Sequence, residues 1–312
     1  MSTGPAVWCV GLTTLDVVHR VQAPPSRNQK VTATRQDVAA GGPAANAAVV
    51  AAALGARVTL VSALGASAVA ASARADLDGC GVRVLDLAPE HELAVSAILV
   101  EESTGARAVT SLDGGTADPD PPDFAALPAP AVVLIDGHYP TLAVAAARAA
   151  RERGALVVLD AGRWRPVFAE LIPLAHVVAA SADFTLPDGG RGPGALVAAG
   201  AGAGVVTAGA EPVRFVTGAS EGVLTGAGEG LVTGAATGHE TGAASGEVPV
   251  PAVPVRDTLG AGDAFHGALV AALAAGDPLR RALAVAVAVA SHRVQHVGPR
   301  SYLPTAAAAV PG

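Results

Sequence analysis

The chain is poor in several residue types, and each shortage excludes something. Only two cysteines, Cys9 and Cys80, occur in 312 residues. Both lie in apolar surroundings, which suits buried reduced thiols rather than a disulfide framework. Aromatics make up 3% of the chain, so any core must be built from Ala, Val and Leu, and little is available to stack on a base. Lys30 is the sole lysine and the formal net charge is -7. A global basic field for nucleic acid is therefore excluded, and no run interleaves basic with aromatic residues. Charged residues are 15% against 51% hydrophobic, which excludes a disordered chain. Long membrane-like runs are also missing. The longest uncharged stretch near the N-terminus, residues 38–56, contains Gly41, Gly42, Pro43 and Asn46, poor material for a membrane span. With no basic secretory leader at its start, the chain is expected to be cytoplasmic. There is no Gly-x-x-x-x-Gly-Lys-Ser/Thr, and Gly11-Leu12-Thr13 is no dinucleotide fingerprint. The eight histidines lack metal-ligand spacing: His292 and His296, four apart on the C-terminal helix, have no third ligand.

The organisation that is present alternates. Residues 7–10, 58–61, 82–85, 132–135, 156–159, 177–180 and 205–207 read as short buried strands. Between them, 43–54, 68–77, 142–152, 167–171 and 195–199 read as helices, the first with Pro43 inside its start and Gly55 past its end. Strand-helix alternation implies an α/β fold with a mostly parallel sheet covered on both faces, whose ligands collect at the carboxyl ends of the strands. Residues 17–21 and 31–38, and a hairpin formed by 94–100 and 106–111, read as partly exposed strands. Between residues 217 and 246, Thr-Gly recurs at 217, 225, 233, 237 and 241. This low-complexity insertion, about 217–247, reads as a lengthened excursion from a hairpin with no catalytic role.

The chemistry concentrates in Asp257-Thr258-Leu259-Gly260-Ala261-Gly262-Asp263, followed by an apolar helix. The glycine turn lets several N–H groups and the positive end of the helix dipole converge on one point, an anion site that suits phosphate. Asp263 can cap such a helix. Beside a phosphate cradle, however, a carboxylate is repelled from the ligand unless it has a task of its own, and accepting a proton from an attacking hydroxyl is one. A second constellation, Gly41-Gly42-Pro43-Ala44-Ala45-Asn46, puts bare backbone before a helix and an amide one turn into it. With Asp16 after the first strand, it suits a polyhydroxylated ligand.

These residues together resemble the ribokinase-like (PfkB) carbohydrate kinase family over nearly the whole chain. The match is carried by Gly-Gly-x-x-x-Asn with Leu54-Gly55-Ala56, by Thr104-Gly105-Ala106-Arg107 in the hairpin, and by Asp257-Thr258-x-Gly260-Ala261-Gly262-Asp263. The opening from Trp8 to Val17 is similar to ketohexokinase-type members, and Gly41 to Ala45 with Asp263 to Ala268 to the sulfofructose kinase branch. The resemblance implies one ribokinase-like α/β domain over residues 1–312, with a small β-sheet lid from about 17–38 and 94–111. It implies ATP-dependent transfer of phosphate to a sugar hydroxyl. In that scheme Asp263 is the general base, and Gly260, Ala261 and Gly262 hold the transferring group. Asp16, Gly41, Gly42 and Asn46 hold the sugar, Arg107 swings in on the lid, and Thr207 and Gly209 contact the nucleotide. It further implies Mg2+, K+ at Asp257 and Thr258 as in some members, and a homodimer through the lid.

Departures from the family pattern also bear on the site. Ser181-Ala182-Asp183-Phe184 stands where Asn-x-x-Glu organises magnesium, with Asp183 as substitute. A glycine soon after Gly209 and an acidic residue after Gly65 are missing. Pro43 replaces the lysine that phosphosugar kinases place after the paired glycines, which favours a neutral ketose or pentose. Arg27, Lys30 and Arg35 on the lid are the candidate readers of a phosphate or sulfonate. A phosphosugar, sulfofructose or nucleoside acceptor, or a silent binding regulator, stays as the alternative. His138 and His266 are expected to neighbour the site.

Overall fold

The computed structural model describes residues 4–115, 117–218 and 244–311. The first half runs β1 (Ala6–Val10), β2 (Thr14–Val21), β3 (Arg35–Gly41), α1 (Pro43–Ala53), β4 (Arg57–Ser62), α2 (Ala68–Gly79), β5 (Arg83–Asp86), β6 (Val95–Glu101) and β7 (Arg107–Thr110). After it come β8 (Val132–Ile135), α3 (Pro140–Glu152), β9 (Leu156–Ala161), α4 (Phe168–Leu171), β10 (Val177–Ser181) and α5 (Pro193–Ala198). The chain closes with β11 (Ala203–Ala208), β12 (Glu211–Thr217), β13 (Ser245–Val248), α6 (Ala261–Ala274) and α7 (Leu279–Arg293).

A nine-stranded sheet has the order β13-β12-β11-β10-β9-β8-β1-β4-β5. From β11 to β5 every neighbouring pair is parallel, and β12 and β13 add an antiparallel edge. Side-chain alternation divides the core between the two faces: Val7 and Cys9 pack with α1, α6 and α7, whereas Trp8 and Val10 pack with α3 and α4. Both cysteines are free, and burial pushes each thiol's pKa up. With few aromatics, the core is made of small side chains, and helices approach closely. Gly267 of α6 lies against the Ala47 carbonyl of α1, where a Cβ would overlap that backbone.

A separate four-stranded sheet has the order β3-β2-β6-β7. Here the structure corrects the reading of residues 31–38: the strand is Arg35–Gly41, paired antiparallel with β2 from Arg20↔Arg35 to Thr14↔Gly41. Its register rather than local alternation selects it. Val18, Ile98 and Val100 form the inner face with Leu259. The expected hairpin forms, β6 and β7 pairing from Ala97↔Thr110 to Val100↔Arg107. Residues 217–247 lie largely outside the described residues, but the strands flanking them pair, Val216 opposite Ser245. No helix among the described residues is long and apolar enough to cross a membrane.

Candidate active site

Parallel strands β1, β8, β9, β10 and β11 end on one edge of the large sheet, and the candidate residues gather there. Gly260, at φ +70°, is the left-handed turn that starts α6, and no side chain caps the helix. A residue with a Cβ is strained in that conformation. The Ala261 N–H donates to the Thr258 carbonyl at 3.3 Å, and a Cβ on Gly262 would face open space. The turn therefore leaves the positive helix end accessible.

Asp263 projects from the first turn of α6 and keeps partial exposure. The Asn46 side-chain amide donates to its Oδ2 at 2.8 Å. Burial, then the negative charge of Asp160, push the Asp263 carboxyl up to about 7, against the Asn46 hydrogen bond and the charge of His266. A base with that pKa is half ionised near neutrality, the range in which a proton can be both taken and released.

The candidate acceptor residues are held by hydrogen bonds, most of them through Arg300. Asn46 Oδ1 accepts from Arg300 Nη1 at 3.2 Å, and Arg300 also reaches Asp76 Oδ2 at 2.9 Å and the Ala40 carbonyl at 2.6 Å. Arg300 thus turns the Asn46 amide so that its NH2 faces Asp263. Asp16 accepts from Thr14 Oγ1 at 2.8 Å, and its carboxylate lies over the bare Cα of Gly41. Burial raises the Asp16 pKa. Gly42, at φ +94°, packs on the Leu12 carbonyl and starts α1.

Several functional candidates carry no signal in the sequence motifs. Asp136, 5% exposed, accepts N–H bonds from Leu12 at 2.9 Å, Ala44 at 3.1 Å and His138 at 2.9 Å. It ties the turn after β1, the start of α1 and the turn after β8 together. Asp160, 7% exposed at the end of β9, has its Oδ2 3.3 Å from His266 Nδ1, and burial raises its pKa. His266 is further held by the Gly262 carbonyl at 2.8 Å and the Ala179 carbonyl at 3.2 Å. Each aspartate directly ends a run of apolar strand residues, the one clue the sequence offered.

The small sheet reaches the glycine turn through its hairpin tip. The Gly105 carbonyl accepts from Thr258 N–H at 3.3 Å and Oγ1 at 2.9 Å, and Arg107 Nη1 donates to Thr258 Oγ1 at 3.3 Å. Thr258 is thereby turned toward the hairpin. Asp257, 1% exposed, accepts from Leu259 and Gly298 N–H, and its Oδ2 lies 3.6 Å from Arg20 and 3.5 Å from Arg293. Two guanidiniums already neutralise the carboxylate expected to hold K+. These residues fit an arginine-filled position rather than a bare monovalent cation.

The nucleotide-side candidates lie at the ends of β10 and β11. Thr207 accepts from Ala182 N–H at 2.9 Å, Gly209 forms the following turn at φ +61°, and Asp183 is exposed after β10. Among the described residues no three His, Cys, Asp or Glu converge as a metal cage. One exposed carboxylate suits an Mg2+ ion that arrives on phosphates and keeps its water. Of the lid cations, Arg35 is engaged bidentately by Asp37 at 2.7 Å, while Arg27 and Lys30 are exposed. His138 lines a cavity together with Pro43, Asp136 and Asp160. His296 lies beyond the end of α7, and its ring contacts that of His292 at 4.3 Å.

The pfkB family carbohydrate kinase profile matches residues 5–306. Among solved structures, a ribokinase from Thermotoga maritima is similar at 18% identity, TM-score 0.74, covering 98% of each chain. An Arabidopsis thaliana ribokinase complexed with ribose and ATP is similar at 21% identity, TM-score 0.68, covering 97% of this chain and 98% of that one. A nucleoside kinase from Methanocaldococcus jannaschii is similar at 20% identity, TM-score 0.70, covering 98% and 99%. With the ribokinase-like fold, the glycine turn and a family match over nearly its whole length, this chain belongs to the pfkB family of carbohydrate kinases, ATP-dependent phosphotransferases acting on sugars or nucleosides.

Proposed function

We propose that this protein transfers the γ-phosphate of ATP to a hydroxyl of a small sugar, with Asp263 as general base. The observation that carries this reading is the Asp263 carboxylate, oriented by Asn46, pushed up to about 7 and placed one turn from the Gly260 bend. Phosphoryl transfer asks little covalent chemistry of a protein and much positioning and charge stabilisation. Asp263 receives the hydroxyl proton as the oxygen attacks. The backbone amides of Gly260, Ala261 and Gly262, with the helix dipole, face the developing phosphoryl charge. Asp16, Asn46 and the backbone at Gly41 and Gly42 hold the sugar. Thr207 and Gly209 contact the nucleotide, and Asp183 would be the residue to hold a triphosphate-borne Mg2+, which would supply charge screening for the phosphates.

The small sheet acts as the lid, with Arg107 brought beside the transferring group when the hairpin tip meets Thr258. Its outer face exposes Val38 at 47% and Val95 at 43%, which supports pairing of two lids in a homodimer. A sugar is favoured over a nucleoside because the acceptor-side residues Asp16, Gly41, Gly42, Asn46 and Asp263 include no aromatic ring to stack a base. Family membership supports a cytoplasmic location.

The test is Asp263→Asn assayed with ATP over ribose, fructose and adenosine. The variant is expected to lose roughly 10²–10⁴-fold in kcat, while calorimetric binding of ATP and sugar persists. Turnover equal to the parent removes Asp263 from the mechanism.

A further inference from the structure

Two adjoining cavities of about 870 and 280 Å3 share Asp113, His138 and Arg165. Arg163 and Arg165, from the segment after β9, converge on one carboxylate: their Nη2 atoms lie 2.6 and 2.7 Å from Asp113 Oδ2. His138 Nε2 lies 3.0 Å from Asp113 Oδ1 and 2.7 Å from Arg165 Nη2. Two guanidiniums and an imidazole thus surround a single carboxylate. Asp136 beneath them, bonded by three backbone N–H groups, also lies 3.0 Å from His138 Nδ1 and pairs with the imidazole, so the two guanidiniums are the groups that depend on Asp113.

Asp113 belongs to no helix or strand. Its φ is +56°, it precedes Gly114 and Gly115, and its side chain is 36% exposed. A turn, rather than a helix or strand, carries this carboxylate into the arginines, and the cost of its positive φ is offset by those ion pairs. The smaller cavity also touches Pro43 and Asp160, the start of the helix bearing Asn46 and the carboxylate that raises Asp263. A molecule filling it lies between the start of α1, Asp160 and the arginines. Arginine pairs recognise carboxylate and phosphate through parallel N–H bonds.

We propose that Arg163, Arg165 and His138 form an anion subsite of the acceptor cleft, that the acceptor sugar carries a carboxylate or phosphate ester remote from the reacting hydroxyl, and that Asp113 fills the subsite until this group displaces it. The proposal rests on the kinase reading above and changes its substrate class. Pro43 removes the lysine expected to read such a group, and the segment after β9 supplies the charge instead.

The experiment compares fructose, fructose 6-phosphate and gluconate as acceptors with ATP, in the parent, Arg165→Gln, Arg163→Gln and Asp113→Asn. One acidic acceptor is expected to exceed fructose in kcat/KM, the phosphate and carboxylate arms telling which. Either arginine variant lowers the acid-to-neutral ratio by about tenfold or more. Asp113→Asn, which removes the internal competitor, lowers the KM for the acid several-fold. A preference for fructose, an unchanged ratio in both arginine variants, or a weakened acid in Asp113→Asn overturns the subsite. If no acceptor yields ADP, the kinase reading fails instead. Calorimetry with gluconate and inorganic phosphate then still reads the subsite, through binding by the parent that Arg165→Gln abolishes; no binding by the parent overturns it.

Discussion

The two sides of Asp263 are built differently. On the proposed acceptor side, Asn46, Arg300 and Asp76 are joined by hydrogen bonds and an ion pair, and Asp16, Asp136 and Asp160 are each held in turn by Thr14, by backbone N–H groups and by His266. On the nucleotide side, Thr207, Gly209 and Asp183 make few side-chain bonds: the Thr207 hydroxyl reaches only the Ala180 carbonyl, at 3.5 Å. The contrast locates discrimination. A pre-wired half can reject an acceptor that leaves its buried groups unsatisfied, whereas an open half relies on backbone and phosphate charge common to any nucleoside triphosphate.

After the loss of Asp263 itself, removing a node from the wired half is expected to have the largest effect. Arg300→Gln releases Asn46, Asp76 and the end of β3 at once. It should lower kcat/KM for the acceptor by about 10²-fold, the scale of a small misplacement of reacting groups, and destabilise the fold by about 1–3 kcal/mol through the partners left behind. Steady-state kinetics and urea unfolding check both; a neutral result makes the network ornamental.

Asp160→Asn has a smaller effect with a definite sign. A general base works only when ionised, so activity in the parent falls as pH drops through about 7, where Asp263 protonates. Asp160 is the negative neighbour opposing that ionisation, with Asp16 adding to it and His266 acting against it. Neutralising Asp160 lowers the Asp263 pKa and moves the acid limb of kcat/KM to lower pH. A limb that stays or rises removes Asp160 from the tuning of the base. The smallest effect is expected in the open half: Asp183→Asn should change KM for ATP by less than about fivefold, the reach of one exposed charge. A change much beyond that would mean this half is wired too.

How much of this was legible in the chain follows the same division. The Gly260 turn, the Gly-Gly-Pro helix start and the buried strands are written in neighbouring residues, where backbone freedom and period-two apolar runs are local properties. Asp136, Asp160 and Arg300 were not singled out, because their partners are remote: Arg300 meets Asn46 across 254 positions and Ala44 meets Asp136 across 92. An aspartate at a strand end looks like any turn residue until the sheet orders its strands. Residues 31–38 misled for a related reason. Their valines suggested a strand, yet the register with β2 runs on to Gly41, whose bare Cα accepts the Asp16 carboxylate.

The close seating of Gly267 against Ala47 has a mechanical consequence. One helical turn before Gly267 on α6 stands Asp263, and Asn46 directly precedes Ala47 on α1, so the proposed base and the amide that aims it ride on two rods touching backbone to backbone. Such a joint has no slack to take up when ligands come and go. Under the proposed function, entry and exit would then fall to the four-stranded flap, with the Asp263 carboxylate held cocked through every cycle.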